Sequence, residues 1–153
     1  MMDAPLSPHF RLSEFINSQD ASRLCIANDP SVPVLANLRR LAASLEDVRT
    51  ALRGAPIAIS SGYRSPALNA AVGGASNSAH LTGRAADFTA PGFGTPQDIC
   101  RRLVDTGIAY DQLIFEGTWV HFGLAEIGVT PRRQLLTAIF APHAPTRYVT
   151  GIQ

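Results

Sequence analysis

A regular spacing of apolar side chains in the first half of the chain constrains the fold most. Between residues 34 and 52 these side chains recur at steps of three and four positions, namely Val34, Leu38, Leu41, Leu45, Val48 and Leu52. This is the periodicity of an amphipathic helix. Ser31 and Pro33 before the run favour a helix start, and Gly54 behind it favours a stop. We therefore expect one long helix against which other elements pack.

The predicted strands are short. Runs of β-favouring and alternating apolar residues indicate strands at 56–61, 85–88, 110–115 and 118–124. The last two are expected to be antiparallel, joined by a tight turn at Glu116 and Gly117. A small antiparallel sheet is the structure that these strands predict.

Shorter helices and a less regular C-terminal region complete the sequence pattern. Helix start signals followed by apolar spacing predict helices at 65–71 and 95–107, and a helical turn is expected at 12–15. Residues 133–140 favour one more strand or a short helix, and 141–153 a loosely held tail. The sequence thus predicts an α+β fold, with the small sheet packed against the long helix and the shorter ones.

Length and composition bound the domain organisation and the partners. A chain of 153 residues suits a single domain, 1–153, with a core of its own. The net charge of +1 gives no reason to expect a nucleic-acid partner, and no run is long and apolar enough to span a membrane. Cys25 and Cys100 are isolated in the sequence, so two buried free thiols are expected, with a disulfide between them left open.

Two histidines and one aspartate form the pattern with the clearest chemical meaning. His80 ends a loop of small and polar residues, Gly83 lets the backbone turn behind it, and Asp87 lies in a predicted strand. His121 lies in another predicted strand. Two imidazoles and one carboxylate with an open fourth position suit one catalytic Zn²⁺ per chain, although other divalent metals accept the same ligands. Taken singly, a loop histidine and a turn-forming aspartate are the simpler interpretation.

The same residues carry a resemblance to a known family. The blocks S-x-H-x-x-G-x-A-x-D at 78–87 and W-V-H at 119–121 resemble the metal-binding signature of the M15 family of zinc peptidases. The block S-S-G-Y-R-S at 60–65 also matches that family. Several separated blocks in the right order make a chance match rare. The resemblance runs from about residue 10 to about residue 124, which leaves 125–153 as a C-terminal extension.

The resemblance implies a fold, an activity and a set of site residues. Family members are D-alanyl-D-alanine carboxypeptidases and related peptidoglycan peptidases, many of them phage endolysins, with a Hedgehog/D-Ala-D-Ala-peptidase-like fold. By resemblance, the zinc ligands are His80, Asp87 and His121. Arg64 is placed in the substrate cleft, where its planar fork suits a terminal carboxylate or a polarised peptide oxygen. Ser78 is expected to hydrogen-bond a ligand or the substrate.

The general base is the role on which the sequence departs from the family pattern. Many members place a catalytic glutamate three residues before the last histidine, where this chain has Thr118. Others place a catalytic histidine five residues before it, the offset of Glu116 from His121. Glu116 is therefore predicted as the base, with a turn residue as the alternative. By resemblance, Trp119 is expected to line the cleft and bind substrate, with a place in the core as the alternative. Asp111 could support a ligand, although a surface position is the simpler interpretation.

Three functions are compatible with the sequence. The preferred one is a zinc peptidase that cuts peptidoglycan stem peptides. The others are a non-catalytic, metal-containing module that binds cell-wall peptides and a protein whose metal is purely structural. We expect a monomer. We also expect the chain to be made in the cytoplasm, because residues 1–10 lack the basic and apolar regions of a signal peptide. Phage- or prophage-type release would then have to deliver it to the cell wall.

Overall fold

The computed structural model describes residues 3–153, so Met1 and Met2 of the predicted domain lie outside the described residues. The helices within this range are α1 (Leu12–Ile16), α2 (Gln19–Arg23), α3 (Val32–Ala51), α4 (Pro66–Ala71) and α5 (Pro96–Thr106), with a 3₁₀ helix at Ala79–Thr82. The strands are β1 (Pro5–Ser7), β2 (Phe10–Arg11), β3 (Ala58–Ser61), β4 (Ala85–Thr89), β5 (Gln112–Phe115), β6 (Val120–Gly123), β7 (Gln134–Ile139) and β8 (Arg147–Thr150). The predicted α+β class is confirmed.

The helix predicted from the apolar periodicity is α3. Ser31 precedes its first residue and Pro33 lies in its first turn, where the missing N–H of proline has no intrahelical partner to lose. Leu38 and Leu45 on its apolar stripe are fully buried. α4 and α5 confirm the other two predicted helices. No described helix, α3 included, is both long and apolar enough to cross a bilayer.

Six strands form one sheet in the order β3-β4-β6-β5-β7-β8. All neighbours are antiparallel except β5 and β7, which are parallel. β1 and β2 form a separate two-stranded ribbon, and β1 lies against α3. The predicted small antiparallel sheet therefore describes β3 to β6, and the C-terminal extension makes the sheet larger and mixed.

The C-terminal extension belongs to this sheet, so the prediction of a loosely held tail at 141–153 is wrong. β8 lies inside that range and pairs with β7. The Thr137 hydroxyl donates to the Gly151 carbonyl at 2.7 Å, and the Gly151 N–H donates to the Leu135 carbonyl at 2.9 Å. β8 is an edge strand with mostly exposed side chains, held by backbone pairing. Such a strand lacks the apolar alternation from which strands are predicted.

The two faces of the sheet have different roles. Side chains alternate between the faces of a strand, and Phe88, Leu113 and Phe122 on one face are fully buried in the main core with residues of α3 and α5. The opposite face carries Asp87 and His121, which lie side by side on β4 and β6. The sheet therefore separates the hydrophobic core from the polar residues predicted to form a site.

The two cysteines lie in different environments. Cys100 on α5 is fully buried, and burial raises the pKa of its thiol to about 12. Cys25 is exposed and has a left-handed backbone, with φ of 54°. The prediction of a buried thiol is thus right for Cys100 and wrong for Cys25, because the short α2 leaves the chain behind it at the surface. Both thiols are free, and the disulfide left open by the sequence is not formed.

Candidate active site

Three side chains that are far apart in sequence converge on one point. The antiparallel register of β4 and β6 sets Asp87 directly opposite His121, and the His121 Nδ1 lies 2.9 Å from the Asp87 Oδ1. His80 comes from the 3₁₀ helix, with its Nε2 3.3 Å from the same carboxylate oxygen. One potential ligand atom from each residue lies within 4.8 Å of the others. The structure thus brings together the three residues predicted to bind metal.

The ring of His80 is held in one orientation from its far side. Its Nδ1 lies 2.7 Å from the Gly62 carbonyl oxygen, which only accepts hydrogen bonds, so Nδ1 carries the proton. The other nitrogen, Nε2, is buried and has no hydrogen-bond partner within residues 3–153. With the proton on Nδ1, Nε2 is an acceptor, and the Asp87 oxygen that it faces is also an acceptor. A buried ring nitrogen with a free lone pair, facing a carboxylate and a second imidazole, fits a divalent cation.

Local backbone geometry places His80 where this contact is possible. The Ser78 hydroxyl accepts a hydrogen bond from the His80 N–H at 3.3 Å and so caps the 3₁₀ helix. Gly83 ends that helix with φ of 73°, a conformation that glycine adopts at little cost. Ser78 therefore hydrogen-bonds the backbone of His80, which is one of the predicted metal ligands. Its predicted contact with substrate stays a prediction.

The protonation states of the cluster suit a cation. Burial alone would raise the pKa of Asp87, but its contacts with His121 and His80 outweigh burial and hold that pKa below its usual value. Burial lowers the pKa of His80, despite the opposing effect of Asp87. At neutral pH the carboxylate is therefore charged and the His80 imidazole is neutral, which are the forms that bind metal.

Arg64 lies beside the cluster in a fixed position. Its NH1 donates to the Asn69 Oδ1 at 2.9 Å, and its NH2 lies 4.0 Å from the Asp87 Oδ2. Asn69 is itself buried and donates to the Ala75 carbonyl. Burial lowers the pKa of Arg64, and the charges of Asp87 and Glu116 oppose this. The guanidinium remains charged at neutral pH, so it adds a fixed positive group next to the cluster.

Glu116 lies on the same side of the sheet as His121. Its N–H donates to the Trp119 carbonyl at 3.0 Å, which continues the ladder of β5 and β6, and Gly117 forms the turn with φ of 76°. The carboxylate is partly buried. Burial raises the pKa of Glu116, as does the charge of Asp87, whereas His121 and Arg64 lower it. Glu116 therefore lies close enough to the cluster for its pKa to be influenced by the charges there.

A wide cleft of about 1390 Å³ opens beside the cluster. Arg64, Ser61 and Trp119 contribute to its lining, together with residues 16–22 from the N-terminal segment. His80, Asp87 and His121 do not line it, so the cluster lies at its edge. The Trp119 ring also packs on Phe140, with 6.1 Å between ring centres. Trp119 thus contacts the cleft with one part and the C-terminal extension with another.

The structure gives several residues roles that the sequence did not reveal. Asp111 does not support a ligand; it forms an ion pair with Arg132, with 2.8 Å between the Asp111 Oδ2 and the Arg132 NH2. The Gly62 carbonyl and the Asn69 side chain orient His80 and Arg64, respectively. A backbone carbonyl leaves no mark on the residue type. For Asn69, only its position five residues after Arg64 on a predicted helix could have drawn attention.

Comparison with known proteins agrees with this geometry. The family model described as Peptidase M15 matches residues 8–122, close to the extent predicted from the sequence blocks. Among curated proteins, none matches this chain. The matched range contains the His80, Asp87 and His121 cluster and Arg64, and it excludes β7 and β8. Because the match covers most of the chain, this protein belongs to the Peptidase M15 family of metallopeptidases.

Proposed function

We propose that this protein is a zinc-dependent peptidase that hydrolyses peptide bonds in the stem peptides of bacterial peptidoglycan. The convergence of His80, Asp87 and His121, with the buried Nε2 of His80 left unpartnered, carries the proposal. Two ring nitrogens and a carboxylate oxygen are ligands that zinc accepts, with a fourth position left for reactants. A zinc ion bound there would lower the pKa of water and polarise a carbonyl group.

Glu116 is the proposed general base. Its carboxylate takes the proton of the attacking water and passes it to the leaving amine. Burial and the charge of Asp87 raise the pKa of Glu116. A raised pKa makes the carboxylate a stronger base, and a pKa near the working pH suits a group that must both accept the proton and return it. The side of the sheet on which Glu116 lies and its electrostatic environment support this role.

Arg64 is the proposed substrate anchor. Its planar guanidinium can bind a carboxylate through two parallel hydrogen bonds, or donate to the carbonyl oxygen of a peptide. The first mode suits a carboxypeptidase that removes a terminal D-alanine, and the second suits an endopeptidase. The open cleft beside Arg64 has room for an extended peptide. The substrate class itself is proposed from the family resemblance.

Hydrolysis of muropeptides tests the proposal. Zinc-loaded wild type should release fragments whose masses identify the bond cut. Glu116→Gln keeps the size of the side chain but removes the base, so zinc should stay bound and the rate should fall roughly 10²–10⁴-fold. Glu126→Gln is the matched control, because Glu126 lies equally far from His121 in sequence but is exposed and pairs with Arg84. Its rate should equal that of the wild type.

The alternative functions predict other results. A wild type that binds muropeptides and cuts none of them would contradict the peptidase and favour the binding module. Equal rates for Glu116→Gln and the wild type would leave the peptidase standing and move the base role to another residue.

A further inference from the structure

The C-terminal extension brings an aromatic residue to the candidate active site from outside the region that the family match covers. That match ends at residue 122, whereas β7 and β8 follow it. We call the cluster of His80, Asp87 and His121 the centre. The pairing of β7 with β5 places this hairpin on the side of the centre that is remote from β3 and Arg64. The extension is therefore in a position to form a wall that the matched region does not provide.

Strand register puts Tyr148 on the face that carries the site. His121 pairs with Ile114, Ile114 with Leu136, and Leu136 with Thr150, so these four residues form one row across the sheet. Tyr148 lies two residues before Thr150 on β8. Because side chains alternate along a strand, Tyr148 lies on the same face as His121.

The row next to this one contains Glu116 and Tyr148. Phe115 pairs with Thr137, so Glu116 comes level with Ala138, and Ala138 pairs with Tyr148. Neighbouring strands are about 4.8 Å apart, so roughly 10 Å separates the backbones at Glu116 and Tyr148. Ala138 is the residue between them in this row, and its methyl side chain is too short to block a phenol ring that extends over it. The Tyr148 side chain can therefore reach over the sheet toward the centre.

Two further observations agree with this position. Tyr148 is 50% exposed, so its ring is accessible to a ligand. Burial raises the pKa of Tyr148, and the charges of Glu116 and Asp87 raise it further. Its hydroxyl is thus protonated at neutral pH and lies near enough to both carboxylates to be influenced by them. A protonated phenol is a hydrogen-bond donor.

We propose that Tyr148 is a substrate-binding residue whose hydroxyl donates a hydrogen bond to the bound peptide, on the side of the centre remote from Arg64. This inference rests on the proposed function, because it takes a cell-wall peptide as the ligand. A peptide that crosses the centre would then be held at both ends, by Arg64 near β3 and by Tyr148 on β8. Phe140, which packs on Trp119 and is 53% exposed, extends the same wall.

Binding of a defined muropeptide tests the inference apart from hydrolysis. The probe is a purified muropeptide with a pentapeptide stem. The proteins are zinc-loaded and carry Glu116→Gln, which slows hydrolysis of the probe during the measurement. Tyr148→Phe removes only the hydroxyl, so Kd should rise roughly three- to tenfold, with zinc content and Tm unchanged. Tyr110→Phe makes the same chemical change in the buried core, remote from the cleft, and should leave Kd unchanged.

The kinetics of variants with Glu116 intact provide the second readout. Tyr148→Phe should lower kcat/KM mainly through KM, as expected for a group that binds the ground state. The inference would be overturned if Tyr148→Phe left Kd unchanged, or if the Glu116→Gln parent did not bind the muropeptide at all. So would a loss confined to kcat with a shifted acidic limb of the pH profile, because Tyr148 would then act through Glu116. Binding that depends on Tyr148 without hydrolysis by the wild type would overturn the peptidase alone.

Discussion

Gly62 meets two requirements at its position, and the second of them excludes every residue that has a side chain. Its carbonyl accepts the hydrogen bond that orients His80. A Cβ at Gly62 would lie 2.5 Å from the Phe15 carbonyl oxygen and 2.7 Å from the Phe15 Cα. These are backbone atoms, so a side-chain rotation cannot relieve the clash. The N–H of the next residue, Tyr63, donates a hydrogen bond to the same Phe15 carbonyl at 2.7 Å, which holds the two segments together.

Gly62→Ala should therefore destabilise the fold and weaken the proposed metal site together. We expect a loss of about 1–3 kcal/mol in the free energy of unfolding and roughly tenfold weaker zinc binding, because the support of His80 shifts. Urea denaturation and a competitive zinc chelator would measure the two effects. Gly92→Ala is the control, since a Cβ there would meet nothing closer than 4.0 Å. A zinc affinity equal to that of the wild type would show that the Gly62 carbonyl is dispensable.

Arg64 makes a second prediction at this scale. Arg64→Ala should leave zinc content unchanged and lower kcat/KM on muropeptides about 10–100-fold, the effect of losing a charged hydrogen bond. Arg64→Lys should recover little of that activity, because an ammonium group cannot form the bidentate fork. Arg39→Ala, which removes an exposed arginine from α3, should have no effect. Full activity in Arg64→Ala would make Arg64 a surface charge of no catalytic importance.

The sequence predicted the side chains of the site better than the groups that hold those side chains in place. His80, Asp87 and Arg64 have functional groups that chemistry singles out, and their spacing matched a family pattern. The carbonyl of Gly62 belongs to every residue type, so its role becomes visible only when His80 is seen beside it. Tyr148 had no signal, because only strand pairing across the extension brings it near Glu116.

At the scale of secondary structure, one ion pair supports the parallel pairing of β5 and β7. The Asp111 carboxylate accepts hydrogen bonds from the backbone N–H and the guanidinium of Arg132, and the Asp111 carbonyl accepts from Gln134 N–H at 2.9 Å. These contacts join the start of β5 to the start of β7. The bonds from Arg132 hold the pKa of Asp111 below its usual value. The pair therefore stabilises the attachment of the C-terminal hairpin.

This pair makes the stability of the fold depend on pH. A carboxyl whose pKa is lower in the folded than in the unfolded state, about 3.9, stabilises the fold above that value and loses this effect as pH falls through its folded pKa. Asp111→Asn should thus cost about 1 kcal/mol near pH 7, a modest figure because Arg132 is 60% exposed and screened by solvent. The difference from the wild type should shrink below about pH 4.

Urea denaturation of both zinc-free proteins across this pH range measures the effect. Asp105→Asn, in an exposed turn of α5, should match the wild type at every pH. A gap between the wild type and Asp111→Asn that stays constant down to the lowest pH would contradict the assigned role of the pair.

The elements that the sequence predicted are those that bury apolar surface. α3 and the strands β4 to β6 show periodic apolar residues because one side of each packs in the core. β7 and β8 lie at the end of the sheet, where pairing of backbone groups replaces much of that burial. Backbone pairing is nearly independent of residue type, so the predicted tail at 141–153 could not reveal a strand.

For the whole molecule, the two faces of the sheet differ in role: one face stabilises the fold and the other carries the candidate active site. One face packs with α3 and α5 and supplies stability. The other face holds Asp87, His121 and Glu116 in two adjacent rows, with Arg64 at one end and Tyr148 at the other. Substitutions on the second face should therefore change metal binding or turnover with little effect on folding, Gly62 excepted because it also contacts Phe15.

Zinc titration of metal-free protein, with hydrolysis of muropeptides as the readout, tests the central claim most directly. Activity should be absent without metal, rise linearly with added zinc and level off at about one equivalent per chain. His121→Ala, which removes one of the three ligand residues, should bind no stoichiometric zinc and remain inactive throughout the titration. Hydrolysis by metal-free protein, or a wild type that binds no zinc at any addition, would contradict the assignment of a zinc-dependent peptidase.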